Sequence, residues 1–111
     1  MEAAGQRLIE TLFRPRYLPE IRPSPYNYPV AIHGKMRGAH FVFMTRYRSG
    51  FDHNRGEEFD APFARLTYAG GGRYDLGWFR HTGKWWSIAE GLTLDAAIRE
   101  LTRNGVPHPH T

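Results

Sequence analysis

Apolar positions near the start of the chain recur at helical spacing. Leu8 and Leu12 lie four apart, as do Ile9 and Phe13, so they form one stripe of a helix over residues 2–13. Pro15 is expected to end it, because the residue before a proline avoids the α region. Residues 15–29 then carry Pro15, Pro19, Pro23, Pro25 and Pro29. That spacing forbids a helix and discourages a ladder strand. An extended arm is expected there, docked on the body through Tyr17, Leu18 and Ile21.

The pattern next changes to a period of two. Tyr28, Val30 and Ile32 alternate with Pro29, Ala31 and His33. Residues Gly34 to Gly38 read as a turn, and Phe41, Phe43, Thr45 and Tyr47 alternate with Val42, Met44, Arg46 and Arg48. The two runs predict a hairpin. A polar loop is expected from Ser49 to Ala61, then a strand over residues 63–68, a break at Gly70-Gly71-Gly72, a strand over 73–80 and another over 84–89. A two-residue turn at Thr82-Gly83 would pair His81 with Lys84, Arg80 with Trp85 and Phe79 with Trp86. Since cross-strand partners share a face, Tyr74, Leu76, Trp78, Arg80 and Trp85 would lie on one side. Arg73, Asp75, Phe79, His81, Lys84, Trp86 and Ile88 would lie on the other.

The last periodic segment is a helix. Thr93 suits the N-cap, Asp95 favours the first turn, and Leu94, Ala97, Ile98 and Leu101 make the buried stripe. Asn104-Gly105 is a stop signal, and residues 106–111 are expected to be a flexible tail. The predicted fold is therefore α+β: an antiparallel sheet of about five strands flanked by an N-terminal and a C-terminal helix.

Aromatic residues form 14% of the chain and fall on both faces of these strands, so both faces need cover. Helix one with the arm could cover one face and helix two the other. If instead both pack on one face, the second becomes an aromatic, Arg-rimmed surface that needs a partner.

With 111 residues, the chain is expected to be a single domain over 1–111. The absence of cysteine excludes disulfides, a thiolate nucleophile and Cys-ligated metal. No apolar run approaches the ~18 residues of a membrane span, and the N-terminus lacks a signal pattern. A bacterial-type cytoplasm is the expected compartment. The net charge of +4 is uneven. Residues 14–48 hold seven cations against Glu20 alone, and residues 49–60 hold four anions against Arg55, so the basic charge belongs mainly to the strands. All the cations but Lys35 and Lys84 are Arg, a fork suited to phosphates and to stacking on bases.

Candidate chemistry is sparse. Residues Arg37 to Met44 share Arg, Gly, Phe and Val with an RNA-recognition string, but Ala39 and Met44 stand where aromatics are required. The acidic loop with His53 lacks the ligand spacing of an EF-hand, and His33, His40 and His81 lack zinc spacing. No metal or cofactor is expected. The glycine triplet precedes no helix and reads as a turn, not a phosphate loop. For an enzyme, His81 with Arg80 and Lys84 at a hairpin tip, plus Asp75, could engage phosphate and relay a proton.

The stretch Pro62-Phe63-Ala64-Arg65-Leu66-Thr67-Tyr68, continuing through Tyr74-Asp75-Leu76-Gly77-Trp78-Phe79-Arg80 to Lys84-Trp85-Trp86, resembles a bacterial family, the domain of unknown function numbered 3024. Its members look like a Pro-hydrophobic-Ala-Lys/Arg strand start, an aromatic strand ending in Trp-x-Arg, and Lys-Trp after a tight turn. The likeness covers roughly residues 57–103 and ends in a helix like that of Leu92 to Leu101. The glycine triplet and the Trp85-Trp86 doublet depart from the pattern. The resemblance implies the architecture and no activity.

The functional expectation is a non-catalytic nucleic-acid-binding module. Arg37, Arg46, Arg48, Arg65 and Arg80 would engage phosphates, with Trp85 as the stacking ring. The alternatives are a homodimeric accessory protein whose aromatic face is its interface, and a small hydrolase-like enzyme centred on His81.

Overall fold

A proline that the helix tolerates sets the start of the fold. The computed structural model describes residues 1–80 and 83–103, and in it helix α1 runs over residues 2–17, past Pro15. It is α-helical over Glu2–Leu8, widens to a π turn over Ile9–Phe13 and closes as Arg14–Tyr17. The π turn explains why Pro15 does not end it. A proline breaks the regular i→i−4 ladder, and here that ladder is already re-spaced just ahead of the ring. Arg14, before the proline, keeps helical angles (φ −62°, ψ −51°). The restriction acts one proline later, where Leu18 before Pro19 leaves the helix (φ −142°, ψ 56°).

Five strands follow in one antiparallel sheet, in sequence order: β1 Asn27–Arg37, β2 His40–Ser49, β3 Glu58–Gly70, β4 Arg73–Phe79 and β5 Trp85–Leu92. Helix α2 spans Leu94–Arg103. Its N-cap is as expected, with the Ala96 N–H donating to Thr93 Oγ1 at 3.2 Å. The expected stop at Asn104-Gly105 and the tail over 106–111 lie outside the described residues.

The first hairpin differs from expectation. Gly34 is not turn but strand, and β1 continues to Arg37, which pairs with His40 around a two-residue Gly38-Ala39 turn. The expected loop from Ser49 to Ala61 is also shorter, because residues 58–61 already belong to β3. Arg46 faces Asp60 and Arg48 faces Glu58 across the ladder, so opposite charges compensate residues that read as loop. Pro62 survives in an interior strand because the register shifts at this point: Phe43 pairs with Ala64, the next residue Met44 pairs with Pro62, and Phe63 is the extra residue. At the β3–β4 turn, Gly71 and Gly72 both have positive φ (59° and 71°), the requirement of a two-residue turn of the primed type.

The last hairpin carries the largest correction. The Arg80 N–H donates to the Lys84 carbonyl at 3.0 Å and the Gly83 N–H to the Arg80 carbonyl at 2.9 Å. Three residues therefore separate Arg80 from Lys84, with Gly83 at φ +83°, where two were expected. The register moves by one: Phe79 pairs with Trp85 and Trp78 with Trp86. A slip of one residue exchanges faces, so Trp85 lies with Phe79 and Trp86 with Trp78, the reverse of the sequence reading.

Both helices pack on the same side of the sheet. Leu8, Ile9 and Phe13 of α1 and Ala97 and Leu101 of α2 join Ile32, Phe41, Phe43, Phe63, Ala64, Leu66 and Leu76 in one buried cluster. Phe13 meets Phe43 and Phe63 edge-on, with centroids 5.4 and 5.2 Å away. These phenylalanine rings fill the space beneath the helices, while Phe59, Tyr68 and Trp86, on the same side, stay exposed. From the arm, Tyr17 and Leu18 pack against this core, while Ile21 is half exposed and not part of it. The arrangement with one helix on each face does not occur.

Candidate nucleic-acid interface

Strand alternation places a different set of side chains on the side without helices. From the register, its rows run Tyr28–Arg48–Glu58, Ala31–Arg46–Asp60, His33–Met44–Pro62, Lys35–Val42–Arg65–Gly77 and Arg37–His40–Thr67–Asp75. Among the described residues no helix lies over these rows. The expected open surface exists, but it is not the aromatic one expected. Val42 and Met44 are its apolar centre and are themselves buried. Val42 is flanked across the ladders by Lys35 and Arg65, long side chains whose methylenes can cover an apolar neighbour while the charge stays in water.

Four of the six residues expected to contact nucleic acid share this face as cations: Arg37, Arg46, Arg48 and Arg65. Lys35 adds a fifth; Gly34 reads as a turn in the sequence, and only alternation carried through it places Lys35 here. The cations are not equivalent. Arg46 donates to Asp60 at 3.0 Å and Arg48 to Glu58 at 2.9 Å. Asp60 also sits 2.9 Å from His33 Nε2. The Arg46 guanidinium, by hydrogen bonding, holds the Asp60 carboxyl below its ordinary value against the opposing effect of burial, with His33 adding to the lowering. The same contact raises Arg46, and the contact with Glu58 raises Arg48. Among the described residues, Lys35 and Arg37 form no ion pair, so the free positive charge collects at the β1–β2 hairpin end.

Arg65 is engaged differently. Its guanidinium lies 4.3 Å from the centre of the Trp85 ring, and Phe79 meets the same indole edge-on at 5.1 Å. Trp85 therefore supports an arginine and does not offer a bare ring. Gly77 lies under the pair: a Cβ there would stand 3.4 Å from Arg65 Cγ and 3.5 Å from Trp85 Cε3. Beside the pair runs a groove of about 320 Å³, lined by His40, Thr67, Asp75, Ser87 and Glu90 among others.

Arg80 is not part of this face. It stacks 4.6 Å over Trp86 at the far end of the β4–β5 hairpin, where Trp78 and Trp86 pair. The expected contact of Arg80 with Trp85 fails with the register that implied it. The expected catalytic group is not brought together either. Asp75 accepts the Gly91 N–H at 2.9 Å and stands five residues along β4 from Arg80, roughly 17 Å at extended-strand rise. Lys84 is exposed at the hairpin, and His81 lies outside the described residues. The acidic loop spends its charges separately, with Asp52 on Arg55 at 2.6 Å and Asp60 and Glu58 on β2. Among the described residues no three His, Cys, Asp or Glu side chains converge as a metal site, and no helix is long and apolar enough to cross a membrane.

The fold and this face define a class: a small α+β fold with one five-stranded antiparallel sheet, helices on one side and, among the described residues, no helix over the polar, cation-bearing other side. The family described as Domain of unknown function (DUF3024) matches residues 1–107, and the chain belongs to that family. No curated protein and no solved structure matches the chain.

Proposed function

We propose that the helix-free face binds the phosphate backbone of a nucleic acid without catalysis. The observation that carries this reading is the gathering of Lys35, Arg37, Arg46, Arg48 and Arg65 on one side of one sheet, although they come from three strands. Lys35 and Arg37 are the first contacts, since no carboxylate competes for them. Arg46 and Arg48 exchange Asp60 and Glu58 for phosphate at some cost and contribute less. Arg80 is left out of the site.

The test is binding of a random-sequence oligonucleotide by the full chain across a salt series. Releasing counterions from about three phosphates gives a log–log slope near −2 for a single strand, and engaging all five cations steepens it to about −3.5. Lys35→Ala with Arg37→Ala should weaken binding and flatten the slope by roughly 1.4. Absence of binding at low salt removes the reading. A doubled mass in light scattering that disappears with substitutions on this face would assign the face to a homodimer instead.

A further inference from the structure

Resting on the reading just given, we infer that the partner is single-stranded and that one of its bases stacks on the Arg65 guanidinium, inside the groove between β3, β4 and β5. A guanidinium is planar and has two faces. The Trp85 ring holds that of Arg65, with Cζ 4.3 Å from the ring centre, and an arginine anchored in this way can take a second flat group; nucleobases stack on arginine. Gly77 lies directly beneath the arginine–indole pair, where even a bare Cβ would touch both at 3.4–3.5 Å, so the pair sits low on the sheet. The groove beside it, at about 320 Å³, falls within the usual size of small-ligand clefts, about 300–1,000 Å³.

The walls select what enters. Apart from Arg65 the groove offers two carboxylates, Asp75 and Glu90, and no other Lys or Arg. A phosphate would meet repulsion deep in the groove and belongs at its rim, on Lys35, Arg37 and the N–H edge of the Arg65 guanidinium, whose face is left for stacking. A neutral ring with exocyclic amino groups meets acceptors. Asp75 uses Oδ1 for the Gly91 N–H, and Glu90 uses Oε1 for the Ser87 hydroxyl, so each carboxylate has a second oxygen to accept from an incoming donor. His40 is oriented by Thr67 through Nδ1 at 2.7 Å, which leaves Nε2 for the ligand. Adenine and cytosine, with an amino group, fit these walls better than thymine. A duplex cannot supply the base, since its rings are already stacked and paired.

The experiment compares the full chain against four fluorescent probes of equal length at one salt concentration: oligo(dA), oligo(dT), an abasic strand and a duplex. Oligo(dA) should bind tightest, ahead of the abasic strand by about 5- to 150-fold, the range of one stacked base. Oligo(dT) should fall between them. Arg65→Ala should collapse the ratio of oligo(dA) to abasic affinity toward one. If duplex and abasic strand bind as tightly as oligo(dA), or if Arg65→Ala leaves the ratio intact, the stacked base is refuted while the phosphate reading stands. If no probe binds at low salt, both fall together.

Discussion

Replacing Gly5 by alanine sets two ordinary rules against each other. Within a helix the change should stabilise by about 0.5–1 kcal/mol, because glycine loses more backbone freedom on folding. Gly5, however, is buried against the edge of Phe41: a Cβ there would approach ring atoms Cδ2 and Cζ to 2.6 and 2.8 Å, with Cε2 nearer still. The ring cannot retreat. Phe41 is fully buried, packs on Phe43 with centroids 5.0 Å apart, and is also pressed by Gly34 of β1, where a Cβ would meet Cε2 and Cζ at 2.6 Å. Forcing a methyl into such a core costs about 1–3 kcal/mol. The net expectation is a loss of about 0.5–2 kcal/mol, read in thermal unfolding as a fall of roughly 2–8 °C in Tm. The decisive measurement repeats Gly5→Ala in a Phe41→Leu background. There the ring is gone, and the substitution should turn neutral or stabilising, a coupling that only neighbouring residues show. A higher Tm for Gly5→Ala alone, or the same penalty in both backgrounds, refutes the argument.

Three further outcomes follow from other contacts. Thr45 is buried in β2 and its hydroxyl has no hydrogen-bond partner among the described residues, so Thr45→Val should stabilise by about 1 kcal/mol, measured by urea unfolding. Thr93→Ala removes the cap of α2 and should cost about 0.5–2 kcal/mol in the same assay. Asp60 is lowered in the folded state, so its ion pair with Arg46 adds stability above about pH 4, the unfolded carboxyl's range, and loses it as the pH falls below that. The stability gap between the parent and Asp60→Asn should be present at pH 7 and shrink below pH 4; a gap independent of pH would refute it.

The parts of the fold that sequence made legible are those where one local signal decides. The α2 stripe and its Thr93 cap, the glycine turn and the alternation of β2 are all of this kind. The misreadings arise where a neighbour outvotes the local signal. Pro15 and Pro62 look like boundaries but sit beside a π turn and a bulge that absorb them. Gly34 looks like a turn, yet it is the strand position that makes room for Phe41. Residues 58–61 look solvated because the arginines that neutralise them lie on another strand. In the candidate site, alternation placed Arg46, Arg48 and Arg65 on the sheet. One additional loop residue before Lys84 was enough to reassign Trp85 and Arg80, and no nearby residue announces it.

The first edge of the sheet has its own consequence. The hairpin closes on Arg37 and His40, so the carbonyls of Ile32 and Gly34 point away from β2. Those carbonyls accept from Arg14 at 3.3 Å and from Gln6 at 3.2 Å, both on α1. The helix that completes the core is therefore also the guard of an eleven-residue strand that would otherwise template pairing with another chain. Loosening α1 uncovers greasy surface and a sticky margin in a single event, so removal of this helix, as distinct from a single strained residue within it, should surface as precipitation.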